Sequence, residues 1–111
     1  MKKFMFLLLA VVAASTFTKA DPPQKVNLSY LEGKLTVDAR HRVLNPNTHY
    51  IDQIVVKVNG QEVQKVKLDK QTSKSSQVST LDLPNLKTGD KVEVAVRCNE
   101  FGEKKGKLVI N

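Results

Sequence analysis

Tryptophan is absent from this 111-residue chain, cysteine occurs once, histidine twice, tyrosine twice and phenylalanine four times. One cysteine excludes an intramolecular disulfide framework as the source of stability. Phe4, Phe6 and Phe17 sit in the N-terminal stretch, which leaves Tyr30, Tyr50 and Phe101 for a fold. Its core must therefore be aliphatic, and valine supplies most of it. No apolar run approaches the ~20 residues of a membrane-spanning helix. No Gly-x-Ser-x-Gly elbow or glycine-rich phosphate loop occurs, and with both histidines in one short segment a hydrolytic triad has little to build from. No window of helical period is long enough to define a helix, and no internal repeat or low-complexity segment is visible.

What is present begins with a leader. Lys2-Lys3, the apolar run Phe4 to Ala14 and the closing Thr18-Lys19-Ala20 have the order of a secretory signal peptide. Cleavage after Ala20 is expected to leave one domain, residues 21–111, soluble in the periplasm or outside the cell. No cysteine follows the apolar run, which argues against a lipid anchor. Lys2, Lys3 and Lys19 leave with the leader while all eleven acidic residues stay, so a net charge of +7 falls to +4. The basic clusters that remain, Lys65, Lys67, Lys70 and Lys74 and then Lys104, Lys105 and Lys107, are interleaved with acids. They read as solvated faces and not as a nucleic-acid surface.

The domain itself alternates. Asp21-Pro22-Pro23-Gln24 is an extended lead-in. Strands are expected near 25–31, 34–40, 49–58, 61–68, 77–83, 91–98 and 106–110, because valine, leucine and isoleucine recur with period two between turn residues. Asn59-Gly60 between two alternating runs is a hairpin signal, since a type I′ turn needs positive φ at both central residues. Glu32-Gly33 and Thr88-Gly89-Asp90 supply further turns, the segment from Glu100 to Gly106 reverses the chain, and Arg40 to Thr48 and Gln71 to Ser76 read as loops. About seven short strands without a helix predict an all-β fold, an immunoglobulin-like antiparallel β-sandwich.

In that architecture the loop between the second and third strands and the loop between the sixth and seventh share one end, and the third and sixth strands are neighbours. His41 and His49 bracket the first loop and Cys98 ends the sixth strand. Both histidines and the cysteine are thus expected at one end, with residues 49 and 98 close together. Imidazole nitrogen with thiolate sulfur suits iron, zinc or copper. The plainer reading is that loop histidines are solvated, that Cys98 is a small buried hydrophobe, and that Arg42, Asn45 and Asn99 hydrogen-bond loop backbone.

Two segments resemble a known family. His41-Arg42-Val43-Leu44-Asn45-Pro46-Asn47-Thr48-His49-Tyr50-Ile51, followed by Ile54-Val55-Val56 and Asn59-Gly60, is similar to the His-Pro…His-Tyr-Ile signature of superoxide reductases, the desulfoferrodoxin iron-binding domain. Cys98-Asn99-Glu100-Phe101-Gly102 resembles that family's Cys-Asn-x-His-Gly. The similarity runs from about Val26 to Ile110. It implies an immunoglobulin-like domain with a mononuclear non-haem iron, four equatorial histidines and an axial cysteine thiolate, reducing superoxide with electrons from a donor protein. His49 matches the histidine before Tyr-Ile and Cys98 the axial thiolate. His41 stands eight positions before His49, a wider spacing than the family's, and an alternative match lays Asn45-Pro46 over His-Pro. Phe101 stands where the motif has histidine, and no histidine precedes His41 to match the family's early Lys-His segment. The resemblance therefore assigns His41, His49 and Cys98 to iron in a reduced ligand set. Two other readings stand beside it: a non-enzymatic periplasmic binding or interaction module that has lost the full iron site, and a domain whose unpaired Cys98 is a redox or partner-linking thiol.

Overall fold

The computed structural model describes residues 21–111; the expected leader, 1–20, lies outside them. The strands are β1 (Lys25–Leu31), β2 (Lys34–Arg40), β3 (Ile51–Val58), β4 (Gln61–Lys67), β5 (Ser76–Asp82), β6 (Lys91–Cys98) and β7 (Glu103–Val109). They pair antiparallel into a three-stranded sheet, β1-β2-β5, and a four-stranded sheet, β4-β3-β6-β7. The expected all-β sandwich is the observed fold. Among the described residues no helix is long and apolar enough to cross a membrane.

Alternation explains why these segments are strands. In β2 the inward residues are Leu35, Val37 and Ala39, all fully buried, and in β6 they are Val92, Val94 and Val96. Cys98 is the next inward position on β6 and is also buried. Beside β6 in the same sheet, β3 contributes Ile51, Ile54 and Val56 to this core. Ile51 and Ile54 are three apart, which a regular strand would put on opposite faces. A β-bulge resolves the conflict: Ile51 pairs with Cys98 and Gln53 with Arg97, so Asp52 is the extra residue. Outside the sheet, Asp52 takes a bidentate pair from Arg97, Nε to Oδ1 at 3.0 Å and Nη2 to Oδ2 at 3.2 Å. Each fully buried valine or isoleucine contributes about 1.5–3 kcal/mol, which lets a core without tryptophan suffice.

The Asn59-Gly60 hairpin turn has the expected positive φ at both residues, 52° and 86°. The boundaries agree with expectation to within two residues except at the start of the seventh strand. β7 starts at Glu103 and not at 106, and Gly106 is a mid-strand residue, not part of a turn. A Cβ at Gly106 would stand 2.6 Å from the Val26 carbonyl oxygen and 2.8 Å from Val26 Cγ1. Glycine is there so that β7 can approach β1 where the two sheets meet.

Five of the seven clustered lysines fall on outer strands, while Lys70 and Lys74 lie in the loop between β4 and β5. β4 and β7 are the outer strands of the four-stranded sheet; Lys65 and Lys67 lie on β4, and Lys104, Lys105 and Lys107 on β7. Charge on an exposed edge discourages pairing with another chain.

Candidate metal centre

Four segments meet at the end of the sandwich where β2 and β6 finish and β3 begins: the lead-in from Asp21, the loop 41–50, the loop 68–75, and the turn 99–102. Short polar devices hold each in place. Asn45 builds a tight turn, its Oδ1 accepting from Asn47 N at 2.9 Å and its carbonyl from His49 N at 3.0 Å. Asn99 ties the two middle strands together. Its Oδ1 accepts from Tyr50 N at 2.9 Å, its Nδ2 donates to the Thr48 carbonyl at 3.0 Å, and its own N–H donates to the Tyr50 carbonyl at 3.0 Å. The residues flanking His49 are thereby clamped to the residue after Cys98.

The structure brings His41, His49 and Cys98 together. One ligating atom from each lies within 4.8 Å of the others. The imidazoles meet edge to face, with centroids 4.9 Å apart at 85°. His41 and Cys98 are buried, at 0% and 4% exposure, and the His49 side chain is 13% exposed. Ligands of a tetrahedral ion at 2.0–2.3 Å would stand roughly 3.3–3.8 Å apart. Closing this cluster around an ion needs the ligating atoms to come closer by about 1 Å.

Gln71, in the polar loop between β4 and β5, organises the site. It is buried at 5% exposure. Its Nε2 donates to the His41 carbonyl at 2.8 Å and the Ser73 carbonyl at 3.0 Å, while its Oε1 accepts from Ile51 N at 3.1 Å. Reversing the amide would oppose donor to donor and acceptor to acceptor in all three contacts, so its orientation is settled. His41 Nδ1, 2.7 Å from Gln71 Oε1, must then be the N–H donor. The other ring nitrogen, Nε2, lies 2.8 Å from the Asp21 carbonyl oxygen. In a neutral ring that is lone pair against lone pair. The contact is relieved by a proton on Nε2, or by the ring turning Nε2 toward His49 and Cys98 to meet an ion.

His49 shows the complementary defect. Its Nε2 is buried with no hydrogen-bond partner among the described residues. Its Nδ1 lies 3.9 Å from Glu100 Oε1, too far for a hydrogen bond. A buried polar atom without a partner costs about 1–3 kcal/mol, and such atoms are uncommon in a finished structure. At Cys98 the Glu100 N–H donates to Sγ at 3.3 Å, and Asn99 Oδ1 lies 4.0 Å from the same sulfur. The strand end also closes through Cys98 N donating to the Gly102 carbonyl at 2.9 Å.

The donor set therefore fits a borderline-soft metal ion: two imidazoles, one with a fixed tautomer and the other with a free buried nitrogen, and a sulfur with a backbone donor. Of the other residues considered from sequence, Asn45 and Asn99 are loop staples. Arg42 is exposed and lines, with Asp21, Val43, Leu44, Asn45, Thr48, His49 and Glu100, a surface cavity of ≈ 340 Å³ beside the cluster. Phe101 is 63% exposed at the tip of its turn. Gln71 could not be found from sequence, because a glutamine in a serine- and threonine-rich loop carries no signal of burial.

No known family has a profile matching this chain, and no curated protein matches it. Among solved structures, a superoxide reductase crystallised in the oxidised state is similar, with a TM-score of 0.48 and 13% sequence identity over 87% of this chain and 94% of that one. At that distance the likeness speaks neither to the site nor to an activity.

Proposed function

We propose that this protein is an exported metal-binding redox domain in which His41, His49 and Cys98 hold a single non-haem iron. The observation that carries this reading is the buried, unpartnered Nε2 of His49, in a cluster whose other two members offer an imidazole and a sulfur within 4.8 Å. A polar atom left this way costs stability unless something binds it. Iron in such a site would supply a one-electron couple, and superoxide is the substrate implied by the motifs around His49 and Cys98. The chain's own residues do the positioning: Gln71 presents His41 by its Nδ1–H, Asn99 and Asn45 fix the residues beside His49, and the Glu100 amide donates to the Cys98 sulfur.

The protein should take up one ferrous ion per chain anaerobically, and the oxidised form should show a thiolate-to-iron absorption band that Cys98→Ser abolishes. Absence of stoichiometric uptake would sink the reading. Superoxide challenge of the wild type and of Phe101→His then addresses activity, since turnover confined to the variant would make the native site a binding site and not a reductase.

Exposed apolar loop tips favour a second reading. Leu44 is 91% exposed and Phe101 63% exposed, on the two loops that carry His49 and Cys98. In an interaction module those tips would bind a partner and iron would be irrelevant. Equal melting temperatures with and without ferrous ion would favour that alternative.

A further inference from the structure

The lead-in before β1 is held more firmly than an expected chain terminus needs to be. Gln24 N donates to the Arg40 carbonyl at 2.8 Å, and Pro23 is buried. Pro22 lies against Gly102, where a Cβ would come 2.5 Å from Pro22 Cβ and 3.2 Å from Pro22 Cα. Gly102 also has φ of 97°, so the turn after Cys98 is glycine both for its backbone and for the strap lying on it. Two consecutive prolines lose little freedom on being fixed. The product of this construction is the placement of one group, the Asp21 carbonyl oxygen, 2.8 Å from His41 Nε2.

At that distance the Asp21 carbonyl accepts a hydrogen bond when Nε2 carries a proton, and a movement of the His41 ring of about 1 Å toward His49 and Cys98 would leave it beside Nε2 as a neighbouring ligand. Donors each about 2.1 Å from one ion and at right angles stand about 3.0 Å apart. Asp21 is also the residue that follows the expected cleavage point, and it lines the cavity beside His49. Hydrolysis of the Ala20–Asp21 bond by a leader peptidase consumes one water, leaves a carboxylate on Ala20 and frees an amine on Asp21. Amine nitrogen and carbonyl oxygen of one residue form a five-membered chelate ring with a bound ion. Pro22 restricts the chelate to that form, because its nitrogen bears no proton and cannot be deprotonated to become a ligand in place of the oxygen.

We infer that the mature N-terminus completes the metal centre, the Asp21 α-amino nitrogen and carbonyl oxygen binding the same ion as His41, His49 and Cys98. The inference rests on the metal-binding reading above. It adds that the precursor, whose Asp21 nitrogen is an amide, has an incomplete site, so full affinity appears only after export. A terminal amine and a carbonyl would take places that the sequence motifs leave without histidines.

The test compares three forms of the chain carrying residues 21–111, each exported with its own leader and its first residue established by mass spectrometry. One begins at Asp21, one begins with an added glycine before Asp21, and one begins at Asp21 and is then acetylated on its amine. Cobalt(II) is the probe, titrated anaerobically against a competing chelator and followed by its ligand-field absorption. The form with free Asp21 should bind one ion. The extended and acetylated forms should bind it at least about tenfold more weakly, with a shifted spectrum, the order expected when a supporting group is lost. His49→Ala should abolish binding in every form. Equal affinity and identical spectra in all three forms would overturn the inference and leave the three-residue site standing. An exported chain that begins at a residue other than Asp21 would also overturn it. No uptake by any form would overturn the metal-binding reading, and this inference with it.

Discussion

The two ends of the sandwich are built by the same device and end in opposite states. At the end away from the cluster, Asn59 ties β3 to β6: its Oδ1 accepts from Lys91 N at 3.0 Å, its Nδ2 reaches Asp90 Oδ1 at 3.1 Å, and its own N–H donates to the Lys91 carbonyl at 2.8 Å. Asp90 Oδ2 in turn accepts from Lys87 N at 2.8 Å. At the other end Asn99 ties the same two strands through three similar bonds. The first end closes, and every polar side chain in its network has a partner. Around the second staple lie a buried imidazole nitrogen without a partner and another facing a carbonyl. The fold can satisfy its strand ends, as Asn59 shows, and the unsatisfied groups beside Asn99 are those that the proposed metal ion would bind.

The comparison can be broken at its strongest point first. Gln71→Ala removes the acceptor for His41 Nδ1 and for Ile51 N and leaves the buried His41 carbonyl without its donor. It should lower stability by about 2–4 kcal/mol in urea denaturation and weaken ferrous ion binding by more than tenfold. Saturating metal should raise the melting temperature of the wild type, with a stabilisation of about 2.7 kcal/mol at a hundredfold excess over Kd. That increment should survive Asn59→Ala and shrink in Asn99→Ala, although each substitution alone should cost about 1–3 kcal/mol for the hydrogen bonds removed. Equal metal increments in both variants would erase the distinction between the ends.

The smallest effect is expected at Asp90. The Lys87 backbone N–H and then the Asn59 side-chain amide hold its carboxyl below the usual 3.8. A depressed folded-state value means that its contribution is fully present above the unfolded value and is lost as pH falls through the folded one. Asp90→Asn should therefore flatten the acid limb of the stability profile slightly below about pH 4 and leave stoichiometric metal uptake at neutral pH unchanged.

Strands were readable because their signal is local. Val92, Val94 and Val96 on β6 announce one buried face by spacing alone, and Asn59-Gly60 announces its turn by what positive φ requires. The seventh strand was misplaced because Gly106 punctuates a sequence as a turn does, while its real reason is the Val26 backbone across the sandwich. The bulge at Asp52 was hidden for a related reason, since two isoleucines three apart show a conflict of faces without showing how it is resolved. His41, His49 and Cys98 could be placed at one end from strand order. The tautomer of His41 could not, because it depends on a glutamine thirty residues away in sequence.

Composition and period thus sufficed for an aliphatic all-β sandwich with its histidines and cysteine at one end. Tertiary structure alone decided that Gln71 turns His41, that His49 Nε2 is left unpartnered and buried, and that the Asp21 carbonyl stands over the cluster. The physical reason is range. Alternation follows from each residue's own geometry in the strand, whereas a ligand set is a matter of distances among side chains from separate loops. Those distances exist only once the core of the two sheets has brought the loops together.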